Sequence, residues 1–263
     1  SRMTENSDLL TRAAEIIRAG RHVVVFTGAG MSVPSGIPDF RSADSGLWNR
    51  FDPMQVASLT AFRYHPDRFF NWLRPLAASI QTARPNAAHT ALARLEEAGI
   101  VKAIITQNID ALHQRGGSKR VLEIHGSLES MLCPRCRRSF PAAEHWDSLI
   151  ASGAFPRCPN DGETLKPGIT LYEEMLPEDT WRQAEAEALS ADVMLVVGSS
   201  LEVGPANMLP AYAVSNGAAL IINTRSSTPL DEQASILLRE DTDQVIPAIA
   251  EQVLGKSPHA GPS

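Results

Sequence analysis

Cysteine is scarce in this chain. Its 263 residues hold three copies, Cys133, Cys136 and Cys158, all within one short stretch. An odd, clustered count does not build a disulfide framework; it points to a reducing compartment and a bound metal. Long apolar runs are also missing, since no segment approaches the roughly 20 residues that a membrane-spanning helix needs. The opening residues, SRMTENSDLL, carry no basic-then-apolar leader, so a cytoplasmic protein is expected, with Ser1 and Arg2 before Met3 reading as a remnant of expression. Basic charge is in deficit: 24 Lys and Arg stand against 30 Asp and Glu, a formal net charge of −6. That balance argues against a nucleic-acid partner gripped by its phosphates. It leaves small ligands and basic peptides open. No internal repeat or low-complexity block is visible.

What the chain does have is a 43% apolar composition, enough for one large domain or a domain with an insertion. Apolar residues at 7–19 follow a helical stripe that Gly20 stops. Short β-branched runs at 22–27, 101–106, 193–197 and 218–223 have the character of strands buried on both faces. Helical stretches at 86–98, 178–189 and 206–215 separate them, and 243–254 forms a last helix. The alternation predicts an α/β fold, a Rossmann-like doubly wound parallel sheet. Two regions break the rhythm. Residues 41–76, with aromatics and with Pro53 and Pro66, predict short helices over the sheet, and 128–167 predict a small inserted module without a long buried strand. The last residues, 256–263, are polar and Gly/Pro-rich and predict a flexible tail.

The first buried strand runs into Gly28-Ala29-Gly30-Met31-Ser32. A helix starting there would aim free N–H groups at phosphate. Val33 stands where a third glycine would complete the dinucleotide fingerprint, so the turn alone is as much a tight strand-to-helix connection as a phosphate cradle. Gln107, Asn108 and Asp110 follow the end of another buried run, where open α/β sheets collect ligands. His125 follows a third short strand at 121–124, and imidazole titrates near neutrality as a general base must. The other six histidines have no comparable context and receive no catalytic role. Cys133-Pro134-Arg135-Cys136 has knuckle spacing for zinc. The second half reads Cys158-Pro159-Asn160-Asp161, and a Cys3Asp tetrahedron with Asp161 as fourth ligand is chemically reasonable, with His145, Glu163 or water as rivals.

Taken in order, GAGMSVPSGIPDFRS (28–42), TQNIDALHQRGG (106–117), LEIHGS (122–127) and VVGSSLEVGPA (196–206) make the chain resemble the sirtuins, NAD-dependent protein deacylases, in their single-domain bacterial and archaeal form. The resemblance runs from the first helix to Leu254. It implies a catalytic domain over 3–255, with a large Rossmann-like part at about 3–40, 77–127 and 168–255, a helical module at about 41–76 and a zinc module at about 128–167. It implies NAD as co-substrate and a structural zinc. The implied cofactor contacts are Gly28, Ala29, Gly30, Ser32, Pro38, Asp39, Phe40 (shielding the sugar carbon), Arg41, Gln107, Asn108, Asp110, Gly198, Ser199, Ser200, Asn223 with its amide toward ribose, Thr224 and Thr242. His125 becomes the base, and Asn108 and Asp110 position the nicotinamide end. An acyl-lysine protein or peptide would lie as a strand between Leu201-Glu202-Val203-Gly204 and Ile169-Thr170-Leu171-Tyr172-Glu173-Glu174, where Glu173 replaces the family's glycine. That replacement predicts a bias toward basic flanking residues. The Tyr-x-x-Arg pair of dicarboxylic-acyl sirtuins is broken, since Tyr64 is followed by Asp67 at that spacing, and Phe70 and Trp72 predict an apolar acyl lining. A monomer is expected, without membrane or nucleic-acid partner. An NAD glycohydrolase or ADP-ribosyltransferase on the same fold, and a non-catalytic NAD-sensing module, are the rival readings.

Overall fold

The structure, a computed structural model, describes residues 2–39 and 52–255. Helix α1 (Arg2–Ala19) leads into strand β1 (Val23–Thr27). After the undescribed stretch come α2 (Pro53–Val56), α3 (Leu59–Tyr64), α4 (Pro66–Thr82) and α5 (Ala87–Glu97). Then follow β2 (Val101–Thr106), α6 (Leu112–Arg115), β3 (Val121–Glu123), β4 (Gly126–Leu132), β5 (Ser139–Pro141) and α7 (Ala143–Ser152). The chain continues through β6 (Lys166–Ile169), α8 (Glu178–Ser190), β7 (Val193–Val197), α9 (Met208–Ser215) and β8 (Ala219–Asn223). It closes with β9 (Ile236–Leu238) and α10 (Thr242–Leu254). Among the described residues no helix is long and apolar enough to cross a membrane.

The large sheet has the order β3-β2-β1-β7-β8-β9 with every pairing parallel. Side chains alternate across each strand, so one run of β-branched residues feeds two cores. Val23 and Val25 join Ile17, Leu92, Leu95, Ile246 and Ile249 beneath α1, α5 and α10. Val24 and Phe26 join Ala184, Ala188, Leu209 and Ala213 beneath α8 and α9. All five β1 residues are buried, and each large side chain contributes about 1.5–3 kcal/mol on leaving water. This doubly covered parallel sheet is the fold class expected from the alternation.

The irregular regions differ more from expectation. Residues 66–82 form one helix of 17 residues, not several short ones, despite Pro75 in its interior. Pro66 suits the first helical position, and the burial of Phe69, Phe70, Leu73, Leu76, Ala77 and Ile80 outweighs the backbone hydrogen bond that Pro75 removes. The cysteine region contains a three-stranded antiparallel sheet, β5-β4-β6. Strands β4 and β5 are only partly buried, and β6 is buried but just four residues long, which is why no long buried run announced them. Helices α3, α4 and α7 and this small sheet share a single apolar cluster that includes Cys133 and Cys158. The stretch 256–263 lies outside the described residues.

Candidate active site and metal centre

The chain leaves β1 and returns to the sheet on one side through β2 and on the other through β7. Such a switch point is where open α/β sheets take up ligands, at the carboxyl ends of the strands. A cavity of about 850 Å3 opens there. Ala29, Ser32, Pro38, Asp39, Gln107, Asn108, Asp110 and His125 line it, as do Ile169, Leu171, Tyr172, Glu173, Val203 and Gly204. Residues from five separated parts of the sequence therefore meet in one concavity. Phe40 and Arg41 lie outside the described residues.

The turn after β1 is not the start of an α-helix. It makes two short 3-10 turns, Ala29–Met31 and Val33–Ser35. The Gly28 N–H donates to the Val197 carbonyl at 3.0 Å and the Gly30 N–H to the Gly198 carbonyl at 2.8 Å, locking this turn face to face with the one after β7. A Cβ on Gly198 would stand 2.3 Å from the Met31 nitrogen, so the two glycine turns approach as closely as backbones can. Ala29 lines the cavity from this turn, while Gly28, Gly30, Gly198, Ser199 and Ser200 lie outside its wall.

Asn108 is fixed at both ends. Its backbone N–H donates to Thr106 Oγ1 at 3.0 Å, and its Nδ2 donates to the Gly28 carbonyl at 2.9 Å. Asp110 is 4% exposed. Burial pushes its carboxyl pKa upward, against the opposing hydrogen bonds from the Ser32 hydroxyl and the Leu112 N–H. His125 lies between β3 and β4, and its Nδ1 stands 3.0 Å from the Gln107 carbonyl. A carbonyl only accepts, so Nδ1 carries the proton and Nε2 is the basic nitrogen of the neutral ring. Gln107 is held in turn by the Ser199 hydroxyl, which donates to its Oε1 at 2.9 Å.

At the far end of the sheet, Asn223 and Thr224 close β8, and Thr242 begins α10; all three are buried. The Asn223 amide Nδ2 is committed to the carbonyls of Leu238 and Glu240, at 3.1 and 2.9 Å. Closing β9 onto β8 thus uses the N–H end of this amide for the backbone and leaves only its carbonyl end uncommitted. The Asn223 Oδ1 and Thr242 Oγ1 remain buried without a partner. Polar atoms left buried and unpaired at the carboxyl end of β8 and the start of α10 fit a dinucleotide whose polar groups complete them.

On the opposite wall, Tyr172 pairs with the segment before α3: its N–H donates to the Ala57 carbonyl and its carbonyl accepts from the Leu59 N–H, both at 3.1 Å. Glu173 has φ +76, the left-handed conformation that glycine takes without strain. Its carboxylate accepts from the Thr60 N–H at 2.9 Å and the Thr60 hydroxyl at 2.8 Å, and these bonds hold its pKa below the usual carboxylate range. Leu201 does not face the cavity; it is 2% exposed in the core with φ +58, and Glu202 is exposed outside the lining. Phe70 is corrected as well. It packs edge-to-face on Phe62 and Phe69, 1% exposed, because its helix face turns into the lower core. Trp72, Leu76 and Ile80, half a turn or more away, supply the apolar wall instead, and Tyr64 lies outside it, 72% exposed. Met175, Trp181, Met208 and Tyr212, which no motif marked, also line the cavity.

The metal cluster is compact. Ligand atoms of Cys133, Cys136, Cys158 and Asp161 all lie within 4.8 Å of one another, and His145 and Glu163 are not part of the group. Cys136 Sγ and Cys158 Sγ are 3.8 Å apart, and Cys133 Sγ lies 3.4 Å from Asp161 Oδ2. A tetrahedron with zinc–sulfur bonds of about 2.3 Å has edges of about 3.8 Å, so the donors fit zinc. The Cys136 N–H points at Cys133 Sγ at 3.3 Å and the Asn160 N–H at Cys158 Sγ at 3.4 Å, turning both loops around their sulfurs. Glu163 is drawn away by Arg135 at 3.3 Å.

The Sir2 family model matches residues 28–205. The chain is 43% identical over 247 residues to NAD-dependent protein deacylase 2 of Archaeoglobus fulgidus, covering 94% of this chain and 96% of that one. A solved Sir2 homolog–NAD complex superposes with a TM-score of 0.85 at 37% identity, covering 92% of this chain and 93% of that one. Sir2Tm bound to a propionylated peptide superposes with a TM-score of 0.81 at 34% identity, covering 92% and 98%. With the family model matching residues 28–205 and relatives of 34–43% identity matching over nearly the full length, the chain belongs to the Sir2 family.

Proposed function

We infer that the chain is an NAD-dependent protein-lysine deacylase, acting in the cytoplasm as a monomer on acyl-lysine peptides. The observation that carries this reading is His125, tautomer fixed by the Gln107 carbonyl, lining the same cavity as Asn108, Asp110 and the Ile169–Glu173 segment. Bound NAD would supply a sugar carbon open to attack by the acyl oxygen, with nicotinamide as the leaving group. The chain's residues do the rest. Asn108 and Asp110 orient the nicotinamide end, and the segments 169–173 and 201–204 hold the peptide extended between them. His125 Nε2 would take the proton of a ribose hydroxyl, whose oxygen bonds to the acyl carbon as the carbon–nitrogen bond to lysine breaks; one water is consumed overall, and the products are free lysine, nicotinamide and O-acyl-ADP-ribose. The dry wall of Trp72, Leu76 and Ile80 receives an acetyl or longer uncharged acyl chain. Asn223, Thr224 and Thr242 hold the adenosine end. Cys133, Cys136, Cys158 and Asp161 hold a zinc ion away from the reacting atoms, where its work is structural. On this division, residues 3–255 are the catalytic domain.

Every ionisable acid or base along the described lining other than His125 is acidic: Asp39, Asp110, Glu173, Glu174 and Glu178. Glu173 is held anionic by Thr60 at the rim, so Lys- or Arg-flanked peptides are expected to turn over several-fold faster than acidic-flanked ones. The test incubates the chain with NAD and a panel of acyl-lysine peptides, following nicotinamide and peptide mass together. One nicotinamide per acyl group removed is expected, with His125→Ala folded, binding NAD and nearly inactive. Nicotinamide release without peptide would make the chain a glycohydrolase, and full turnover by His125→Ala would remove the base from its role.

A further inference from the structure

One buried histidine has no part in the chemistry above. His113, on α6, is 1% exposed, and its Nε2 lies 2.8 Å from Thr27 Oγ1. Thr27 Oγ1 lies 2.7 Å from Thr106 Oγ1, and both threonines are buried. They end β1 and β2 at paired positions of the parallel register, so the sheet itself brings the hydroxyls together. Thr106 Oγ1 also accepts the Asn108 N–H at 3.0 Å.

Counting protons gives the chain a direction. Thr106 Oγ1 accepts from both the Asn108 N–H and the Thr27 hydroxyl. The Thr27 proton is thereby used, so the contact with His113 is made by Nε2–H donating to Thr27 Oγ1. The neutral ring then has its lone pair at Nδ1, and Nδ1 is the ring atom buried without a partner. A buried unpaired acceptor is tolerated better than a buried unpaired N–H, which agrees with this tautomer. Burial, and the His89 ring 5.1 Å away, push the His113 pKa down to about 3, so the donor does not change with working pH.

We propose that His113 is a positioning residue: through Thr27 and Thr106 it holds the Gln107–Asn108 turn, and so sets both the Asn108 side chain and the Gln107 carbonyl that orients His125. The bonds from His113 to Thr27 and from Thr27 to Thr106 run one way and strengthen each other in a dry interior; they fix the Thr106 oxygen that also accepts the Asn108 N–H, and the turn held there carries two of the groups that meet the reactants. The proposal rests on the deacylation reading above.

The experiment measures kcat and KM for NAD and acyl peptide, with thermal melts, for His113→Phe, His113→Gln, Thr106→Val and the His113→Phe/Thr106→Val double variant. Gln carries an amide N–H where Nε2–H stands; Phe fills the space without a donor. His113→Phe and Thr106→Val are each expected to lower kcat on the order of 10- to 100-fold with little change in KM. His113→Gln should recover most of the loss, and the double variant should be no slower than the slower single one. A His113→Phe enzyme within about twofold of wild type in kcat, a Gln variant no better than Phe, or losses that multiply in the double variant would each overturn it. Should His113→Phe fail to fold, Thr106→Val decides: full kcat there ends the proposal, and a slow Thr106→Val beside a fast His113→Gln sustains it. A wild-type chain that deacylates nothing would sink the deacylase reading itself, an outcome separate from all of these.

Discussion

Glu123, two residues before His125, shows what burial does to a single carboxyl. Desolvation is the largest influence and lifts its pKa to about 7, hydrogen bonds from Gln114 and Ser127 oppose it, and the charges of Glu129 and Asp110 add to it. Its Oε2 is buried without a partner. A carboxyl that holds its proton more tightly when folded stabilises the fold most below its unfolded pKa. That contribution is lost as pH rises from about 4.5 through about 7. At 1.36 kcal/mol per pKa unit the ceiling is about 3 kcal/mol, lowered by the side chain's partial access to water. Glu123→Gln, which cannot ionise, should gain on the wild type as pH rises. Melting both proteins at pH 5 and pH 8 checks this, and an equal gap at the two values would show that Glu123 does not titrate as burial dictates.

At the scale of elements, the site depends on two turns meeting. Gly198 at the end of β7 has φ +67, and an added Cβ would lie 2.3 Å from the Met31 nitrogen and 2.7 Å from the Gly30 carbonyl carbon. Backbone cannot step aside as a flexible side chain does. Gly198→Ala is expected to destabilise by at least about 3 kcal/mol and to raise KM for NAD by spreading the turns. Gly36 is the control: its φ is +92, but nothing lies within 4 Å of an added Cβ. Gly36→Ala should therefore lose only the conformational term of about 1–2 kcal/mol. Equal losses at the two sites would mean that the close approach after β1 and β7 does not matter.

For the whole molecule, the metal site and the acyl wall are mechanically one body. Cys133 and Cys158 belong to the same apolar cluster as Phe69, Leu73, Leu76 and Trp146, and Leu76 also lines the cavity. Trp146 anchors α7 by donating its indole N–H to the Leu128 carbonyl. Removing zinc with a chelator should lower the melting temperature and the activity together and change the near-ultraviolet signal of Trp146, while the large parallel sheet stays folded. Metal analysis should find about one zinc per chain, reduced in Asp161→Ala and kept in Asp161→Cys. A metal-free chain that melts and turns over unchanged would show the cluster to be dispensable.

The division between what the sequence dictated and what the tertiary structure decided follows from the range of the forces. The doubly wound sheet, the GAG turn and the cysteine knuckle were legible because they rest on local signals, namely β-branched runs, glycine turns and thiol spacing, whereas His125 stood out only through the order of the motifs around it. Thr27, Thr106 and His113 were not legible. The two threonines look like ordinary strand residues, and only the β1–β2 register sets their hydroxyls 2.7 Å apart. The same holds for α4, which long-range burial carries unbroken through Pro75, and for Phe70, turned inward by its helix face. Asp161 was legible as the fourth donor from its place in the second knuckle, and folding the two knuckles together puts it beside the sulfurs while Glu163 pairs with Arg135. Local chemistry names the candidate groups along a chain, whereas which of them meet is decided by packing between segments far apart in sequence.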